Sequence, residues 1–322
     1  MSYRIVAFYQ FVQLDSPEEL RETLRLLCHQ LELKGVMLIS AEGINATMSG
    51  AHDHIETLLT WLRHDNRFAD LTVKEAQAAH NPFYRLRVRL KKEIVSLGVD
   101  GVDPNQVVGT YVEPSDWNLL IQDPKVTVID VRNDYEICAG TFEGAINPQT
   151  EQFRDFPKWV DANLDPQQNP KVAMFCTGGI RCEKATSYLK QKGFESVYHL
   201  KGGILQYLHD VSEDESLWEG ECFVFDQRIA VNHQLSPGQT QLCHACSYPI
   251  TEADRQSEHF VRGVSCPRCH DRWTDAQKKR FAERQHQMDL ATERTEAHLG
   301  MKQKLPDSHP LNHVRDSRNR LG

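Results

Sequence analysis

Short apolar runs separated by turn-forming residues divide the first hundred positions into alternating strands and helices. Ile5-Val6-Ala7-Phe8-Tyr9 reads as a strand. Ser16-Pro17-Glu18-Glu19 then supplies an N-cap, a proline at the first helical position and an acidic first turn. Leu20, Leu24, Leu27 and Leu31 follow at three- and four-residue intervals, which predicts an amphipathic helix ending near Gly35. Strands are predicted over 35–40 and 44–48, joined through Glu42-Gly43, with a second helix over 53–64 and further strands over 73–76 and 86–90. The order β-α-β-β-α-β over residues 1–97 predicts an α+β, ferredoxin-like domain.

The stretch Leu97-Gly98-Val99-Asp100-Gly101-Val102-Asp103-Pro104 is rich in turn formers, and residues 98–114 read as a linker. Beyond it, strands over 126–131, 172–175 and 197–200 alternate with helices over 153–164, 182–192 and 203–209. Strands of this apolar character need both faces covered, so 115–212 is predicted to be an α/β domain with a parallel sheet. From Leu242 onward the chain turns polar and Cys-rich; 213–275 reads as a Cys₄ zinc-ribbon-like region and 276–322 as a polar helix and a tail expected to be disordered after Met301. No internal repeat is evident.

At 322 residues the chain exceeds a one-domain length of about 100–150 residues. Its 40% hydrophobic content excludes wholesale disorder. The 37 Lys and Arg against 45 Asp and Glu give a net charge of −8, so any nucleic-acid site has to be a local patch. No run approaches the roughly 20 apolar residues of a membrane span. Met1-Ser2-Tyr3-Arg4-Ile5-Val6 lacks the basic and apolar regions of a secretory signal, and a cytoplasmic location is expected. Nine cysteines, four of them in two C-x-x-C pairs, point to thiol and metal chemistry in a reducing compartment.

The sharpest feature is Phe175-Cys176-Thr177-Gly178-Gly179-Ile180-Arg181-Cys182-Glu183-Lys184, between a buried strand and a helix. A loop closing at a helix N-terminus turns backbone N–H groups inward and adds partial positive charge, which favours a Cys176 thiolate. Gly178 and Gly179 permit positive φ and close approach to bound atoms. Arg181 supplies a cation that can hold an anion or depress the thiol pKa. The alternative is that Cys176 is a small buried hydrophobe in a tight turn. Its place at the carboxyl end of an α/β strand favours a site.

Cys176 to Arg181 resembles the six-residue loop of the rhodanese family, whose first cysteine carries a persulfide. Asp130-Val131-Arg132 with Glu136, then Gly140, Gly144-Ala145-Ile146-Asn147-Pro148 and Leu200-Lys201-Gly202-Gly203-Ile204, are similar to the same pattern, over roughly 115–211. Thr141 departs from it, since many rhodaneses carry a histidine there. Phosphatases on the related scaffold use a loop one residue longer, so this loop fits sulfur better.

Together with Ala41-Glu42-Gly43-Ile44-Asn45 and Phe223-Val224-Phe225-Asp226-Gln227-Arg228, the cysteine string resembles one bacterial family of rhodanese-containing proteins, the tRNA uridine hydroxylases. The resemblance spans roughly 3–271 and implies an acylphosphatase-like domain, a rhodanese domain and a Cys-containing C-terminal region. It implies oxygen-dependent conversion of a wobble uridine to 5-hydroxyuridine, with molecular oxygen as co-substrate and the tRNA anticodon region as partner. Carried over, Cys176 is the catalytic thiol with Arg181 beside it, Thr177, Gly178, Gly179 and Ile180 form the loop, and Asp130, Arg132 and Glu136 support it. Cys182 is the second thiol. It can resolve an oxidised or persulfidated Cys176 as a disulfide, or it can simply pack beneath the loop. No flavin, haem or nucleotide motif is seen in the sequence, and a sulfur or electron donor protein is a further expected partner.

Cys243, Cys246, Cys266 and Cys269 form two C-x-x-C pairs nineteen residues apart, a spacing suited to a tetrahedral Cys₄ zinc site. Unmetallated thiols or disulfides are the alternative, and an iron–sulfur cluster would instead bring redox chemistry. His244, His259 and His270 read as surface residues because four cysteines complete the shell.

Arg85, Arg87 and Arg89 alternate with aliphatic residues and precede Lys91 and Lys92. One strand face therefore carries a basic stripe suited to tRNA phosphates, with Tyr84 or Phe83 available to stack on a base. A solvated sheet face explains the same alternation. Lys278-Lys279-Arg280 with Arg284 is a second basic cluster, on a helix that also carries acids. Asn45 can orient a base or sugar, or bond the backbone of its turn. Two further functions share these residues: a persulfide-carrying sulfurtransferase, from the loop alone, and a noncatalytic tRNA-binding module, from the stripe and the Cys₄ site.

Overall fold

A computed structural model of the chain describes residues 2–294. The tail expected to be disordered lies outside the described residues beyond 294. The first domain contains β1 (Tyr3–Phe11), α1 (Pro17–Gln30), β2 (Lys34–Ser40), β3 (Gly43–Gly50), α2 (His52–Arg63), β4 (Val73–Ala78) and β5 (Leu86–Leu90). Its sheet order is β4-β1-β3-β2-β5, antiparallel except for the β2–β5 pair at one edge. Val6, Phe8, Met37, Ile39, Ile44 and Val88 meet Leu24, Ile55, Leu58 and Leu62 of the two helices in one core. Because side chains alternate across a strand, Tyr9, Asn45 and Lys74 point from the other face. α1 ends at Gln30 rather than near Gly35, because Leu33 turns inward and bonds the Cys28 carbonyl, with Glu32 left-handed at φ 53°.

The second domain comprises β6 (Thr110–Val112), α3 (Pro114–Ile121), β7 (Val126–Asp130), α4 (Asp134–Ile137), β8 (Gly140–Phe142), α5 (Phe156–Asn163), β9 (Lys171–Phe175), α6 (Ile180–Gln191), β10 (Ser196–Leu200) and α7 (Gly203–Asp210). β6, β10, β9 and β7 form a parallel sheet in that order. Alternate residues feed two cores: Ile129, Val172 and Met174 pack with Phe156, Ala185 and Leu189, while Val128, Ala173 and Phe175 pack with Trp117, Ile204 and Tyr207. Two boundaries move. Within 98–114, read above as linker, Val102 is buried in the α/β core and Thr110–Val112 is an edge strand. Three residues are too few to show the alternation that marks longer strands.

After α7 the chain stays with the α/β domain. β11 (Trp218–Gly220) pairs with β8, and the hairpin β12 (Cys222–Phe223) and β13 (Ala230–Val231) buries Cys222 and Val231 in the same core. Trp218 is the anchor, packed on Phe142 and Phe175. The Cys-rich unit thus begins later than 213, with β14 (Gln241–Leu242), β15 (Pro249–Ile250), α8 (Glu252–Gln256) and α9 (Asp275–Glu293). No helix among the described residues is long and apolar enough to cross a membrane.

The two large domains are joined by buried charge. Lys184, 2% exposed, reaches from α6 to Glu42 at 2.7 Å and Glu93 at 2.6 Å. Glu42 also accepts the Ile94 N–H at 2.6 Å, and Asn45 donates to the Ile94 carbonyl at 3.0 Å. Glu42 of the N-terminal motif therefore docks one domain on the other, while Asn45 ties the end of the first domain back onto its own sheet. Removing one partner of a buried ion pair typically costs about 3–5 kcal/mol. Lys184→Ala, which strands two carboxylates, is expected to lower the urea midpoint by a loss of about 3 kcal/mol; an unchanged midpoint would show that water solvates Glu42 and Glu93 without the amine.

Candidate active site

Cys176 follows the last residue of β9, and α6 begins four residues later at Ile180. Gly179 caps that helix at φ 100°, a conformation that suits glycine, and a Cβ there would lie 2.9 Å from the Tyr9 hydroxyl. Gly178 does not share the positive φ expected above; its carbonyl instead accepts from Lys74 Nζ at 2.6 Å. α7 closes the other side. Ile204 N–H donates to the Cys176 carbonyl and Leu205 N–H to that of Thr177, each at 3.0 Å. A Cβ on Gly203 would sit 2.5 Å from the Cys176 oxygen, so the backbone approach depends on glycine.

The Cys176 sulfur is wholly buried and accepts the Gly179 N–H at 3.2 Å. Burial alone would raise its pKa. Donation from the Cys182 thiol, the Arg181 charge and the backbone N–H groups of Cys182 and Gly179 override that effect and bring it down to about 5. The Cys182 thiol is pushed up, by burial and by the thiolate it donates to. At neutral pH the pair is one thiolate and one thiol, a division that burial by itself would not give.

Arg181 is positioned by a carboxylate. Its Nη1 and Nη2 reach Glu136 at 2.6 and 2.7 Å, and Nη2 also reaches Thr177 Oγ1 at 3.2 Å. Three of its five N–H donors are thus engaged by the protein, and its charge acts on the Cys176 sulfur. Glu136 is fully buried. Burial favours its protonated form, but the Arg181 charge and hydrogen bonds hold it below the ordinary carboxylate range. The second buried pair, Arg132 with Asp130 at 2.9 and 2.6 Å, ties β7 to the Gly140 carbonyl at 2.6 Å. Thr141, at the departure from the rhodanese pattern, donates to Asp130 Oδ2 at 2.9 Å.

Sequence reasoning passed over Tyr9 and Lys74, since a lone lysine on a strand has no local signal. Tyr9 donates to Glu183 at 3.0 Å, and Tyr111 donates to the other oxygen at 2.7 Å. Burial lowers the Lys74 pKa to about 8, against the opposing charges of Cys176 and Glu183. The first domain therefore supplies a hydroxyl and an amine to the cysteine loop.

The basic stripe is elsewhere. Arg85, Arg89, Lys91 and Lys92 are exposed and Arg87 is half-buried, along the β5 edge. Lys74 is on β4, four strand spacings away, or roughly 19 Å. Phe83 is 8% exposed, so it is not available for stacking. Arg284 of the second basic cluster donates to the His244 carbonyl.

Cys243, Cys246, Cys266 and Cys269 place their sulfurs within 4.8 Å of one another, an arrangement that could hold a metal ion. The pairs 243–269, 246–266 and 266–269 are 3.8, 3.7 and 3.7 Å apart. A tetrahedron with Zn–S bonds of about 2.3 Å has edges of about 3.8 Å, so the donor set fits zinc. These separations also exclude a disulfide. His259 and His270 stack on each other at 3.7 Å outside the cluster.

A parallel sheet presenting a thiolate loop, joined to a ferredoxin-like sheet, defines a rhodanese-type domain fused to an acylphosphatase-like one. Residues 3–94 match the UPF0176 acylphosphatase like domain and 113–210 the rhodanese-like domain. Over 298 residues the chain is 56% identical to the tRNA uridine(34) hydroxylase of Teredinibacter turnerae, covering 92% of this chain and 93% of that one. The chain belongs to the tRNA uridine(34) hydroxylase family. Among solved structures, a rhodanese-related protein of Thermoplasma volcanium is 24% identical over 31% of this chain and 90% of its own, with a TM-score of 0.25. A Rhodopseudomonas palustris protein of unknown function, described as a possible tyrosine phosphatase, is 25% identical over 32% of this chain and 82% of its own, with a TM-score of 0.28.

A pKa lowered from 9.0 to about 5 makes folding favour the thiolate. That contribution is complete above about pH 9 and is lost as pH falls through about 5. Thiolate absorbance at 240 nm, taken as the difference between the native protein and Cys176→Ala, is expected to titrate near pH 5. Cys182→Ala should move that midpoint up by about one unit or more, the worth of a charge-assisted hydrogen bond. A midpoint near 9 in the native protein would contradict the electrostatics described.

Proposed function

We propose that this chain hydroxylates the uridine at position 34 of tRNA to 5-hydroxyuridine, with Cys176 as the reactive group and molecular oxygen as co-substrate. The observation that carries the proposal is the stabilised Cys176 thiolate in a chain 56% identical to a tRNA uridine(34) hydroxylase. Replacing a C–H bond by C–OH with O₂ while the second oxygen leaves as water consumes two electrons and two protons. An electron donor is therefore part of the proposal, and Cys182, whose thiol donates to the Cys176 thiolate, closes a disulfide on an oxidised Cys176. The tRNA partner is engaged through its anticodon region, with Arg85, Arg87, Arg89, Lys91 and Lys92 taking phosphates at the β5 edge. Asp130, Arg132 and Glu136 keep the loop in place, and the work is done in the cytoplasm.

The six-residue loop also favours a second reading, a persulfide-carrying sulfurtransferase, and protein-bound, cyanide-labile sulfur after treatment with thiosulfate is its signature. Nucleoside mass spectrometry of tRNA from a deletion strain separates the two. Wild type is expected to restore 5-hydroxyuridine, and Cys176→Ala to leave it at least a hundredfold lower; normal levels with the alanine variant would reject the cysteine mechanism.

We further propose that Cys243, Cys246, Cys266 and Cys269 hold a structural zinc, which when bound supplies fold rather than reaction chemistry. Atomic emission is expected to find one zinc per chain. Cys266→Ala should release it and leave the segment over 241–273 open to proteolysis, whereas full zinc content in that variant would show that the ligands lie elsewhere.

A further inference from the structure

At the end of β4, on the edge of the first sheet, a groove of about 800 Å³ opens between residues 78–82, 227–229 and 237–241. Its fourteen lining residues include His80, Asn81, Gln227, Arg228, Gln239 and Arg255 but no aspartate or glutamate. With 45 acids in 322 residues, about two would be expected by chance. Glu221, which lies behind the wall, is occupied: it accepts the Gln239 and Thr240 N–H groups at 2.7 and 2.9 Å and the Thr240 hydroxyl at 2.6 Å. In a protein of net charge −8 this groove is a local surface to which a phosphate backbone can come, lined with amides and a hydroxyl able to bond base edges. The Gln227 N–H bonds the Pro82 carbonyl at 3.1 Å and fixes one wall to the other.

Arg228 lines this groove and also an inner cavity of about 80 Å³. The inner cavity lies between the helix-free face of the first sheet, at Ala7, Thr47 and Lys74, and the cysteine loop, at Thr177. That volume is several times the roughly 10–15 Å³ a cavity needs to hold one water, so the space is more than a packing defect. Ile5, Ala7 and Ala76 provide an apolar side. Phe225, 62% exposed, stands in the wall as a stacking surface. Lys74 brings donors for a pyrimidine carbonyl; an ammonium has three, and the Gly178 carbonyl takes one of them, whereas the single O–H of Thr177 is given to Glu136. Asp226 is held in place by Arg228, at 2.9 and 2.6 Å.

We propose that the single-stranded anticodon nucleotides lie in the outer groove and that the target uracil enters the inner cavity between Phe225 and Lys74, beside Thr177. The proposal rests on the tRNA reading above and names the surface that holds the substrate strand. It places the base at the β4 edge, while the arginine stripe on β5 is left to phosphates farther along the RNA.

Binding of a fluorescein-labelled anticodon stem–loop with uridine at position 34 to the full chain, read by anisotropy, tests it without requiring turnover. The combined variant His80→Ala, Phe225→Ala, Arg255→Gln is expected to raise Kd at least tenfold, as loss of one stacked base and one phosphate contact would. A Kd within twofold of wild type, or no binding by wild type, overturns it. Should the variant lose its circular dichroism signature, the wild-type protein serves instead, with 4-thiouridine at position 34 of the RNA. Irradiation is expected to crosslink that base within 224–231. A crosslink to 85–92, or none at saturating RNA, overturns the placement. Failure of the hydroxylation reading would appear in the nucleoside analysis and leave these binding results as they stand.

Discussion

A single ammonium group, the Lys184 amine between Glu42 and Glu93, holds the arrangement on which the cysteine site depends. Its position on α6, eight residues after Cys176, means that the helix carrying the thiolate-binding amides also carries the latch to the first domain. Tyr9 and Lys74 reach across the same junction, both from the helix-free face of the first sheet. Neither domain contains the complete site.

The electrostatics of that site are layered. Arg181 lies beside the sulfur, Glu136 holds Arg181, and the Glu136 side chain also meets the Thr177 hydroxyl at 3.3 Å. A guanidinium bound bidentately by a buried carboxylate keeps its position, but part of its field is cancelled. The rest of the thiolate stabilisation comes from short-range donors, the Cys182 thiol and the amides that open α6. Those donors act at one atom and do not require a positive protein, which is how a chain of net charge −8 keeps an anion in its interior.

Much of this is legible in the chain. The β-strand at 86–90 and the domain pattern of the first hundred residues follow from local periodicity, and the Cys₄ spacing carries its own geometry. The loop is legible because Cys176, Gly179 and Arg181 act within six residues of one another. Lys74, Tyr9 and Glu93 are not, because their meaning arises from contacts across roughly a hundred residues and a domain boundary, where no periodic signal exists. Glu42 and Asn45 stood out as a motif, yet only the assembled structure gives Glu42 its role in docking and Asn45 its bond to Ile94. The boundary errors share a cause: three-residue strands such as 110–112 and 218–220 owe their existence to a sheet edge already formed.

Acidity and access usually accompany each other in a thiol, since the water that solvates a thiolate also admits oxidants. Here they are separated. Cys176 is deprotonated at neutral pH with no solvent-exposed surface, under a cover made by another domain. Dissolved peroxide or a stray disulfide meets protein before it meets sulfur, so an acidic thiol is kept apart from the redox state of its surroundings. The loop sets the acidity of the thiol, while the neighbouring domain sets what can reach it.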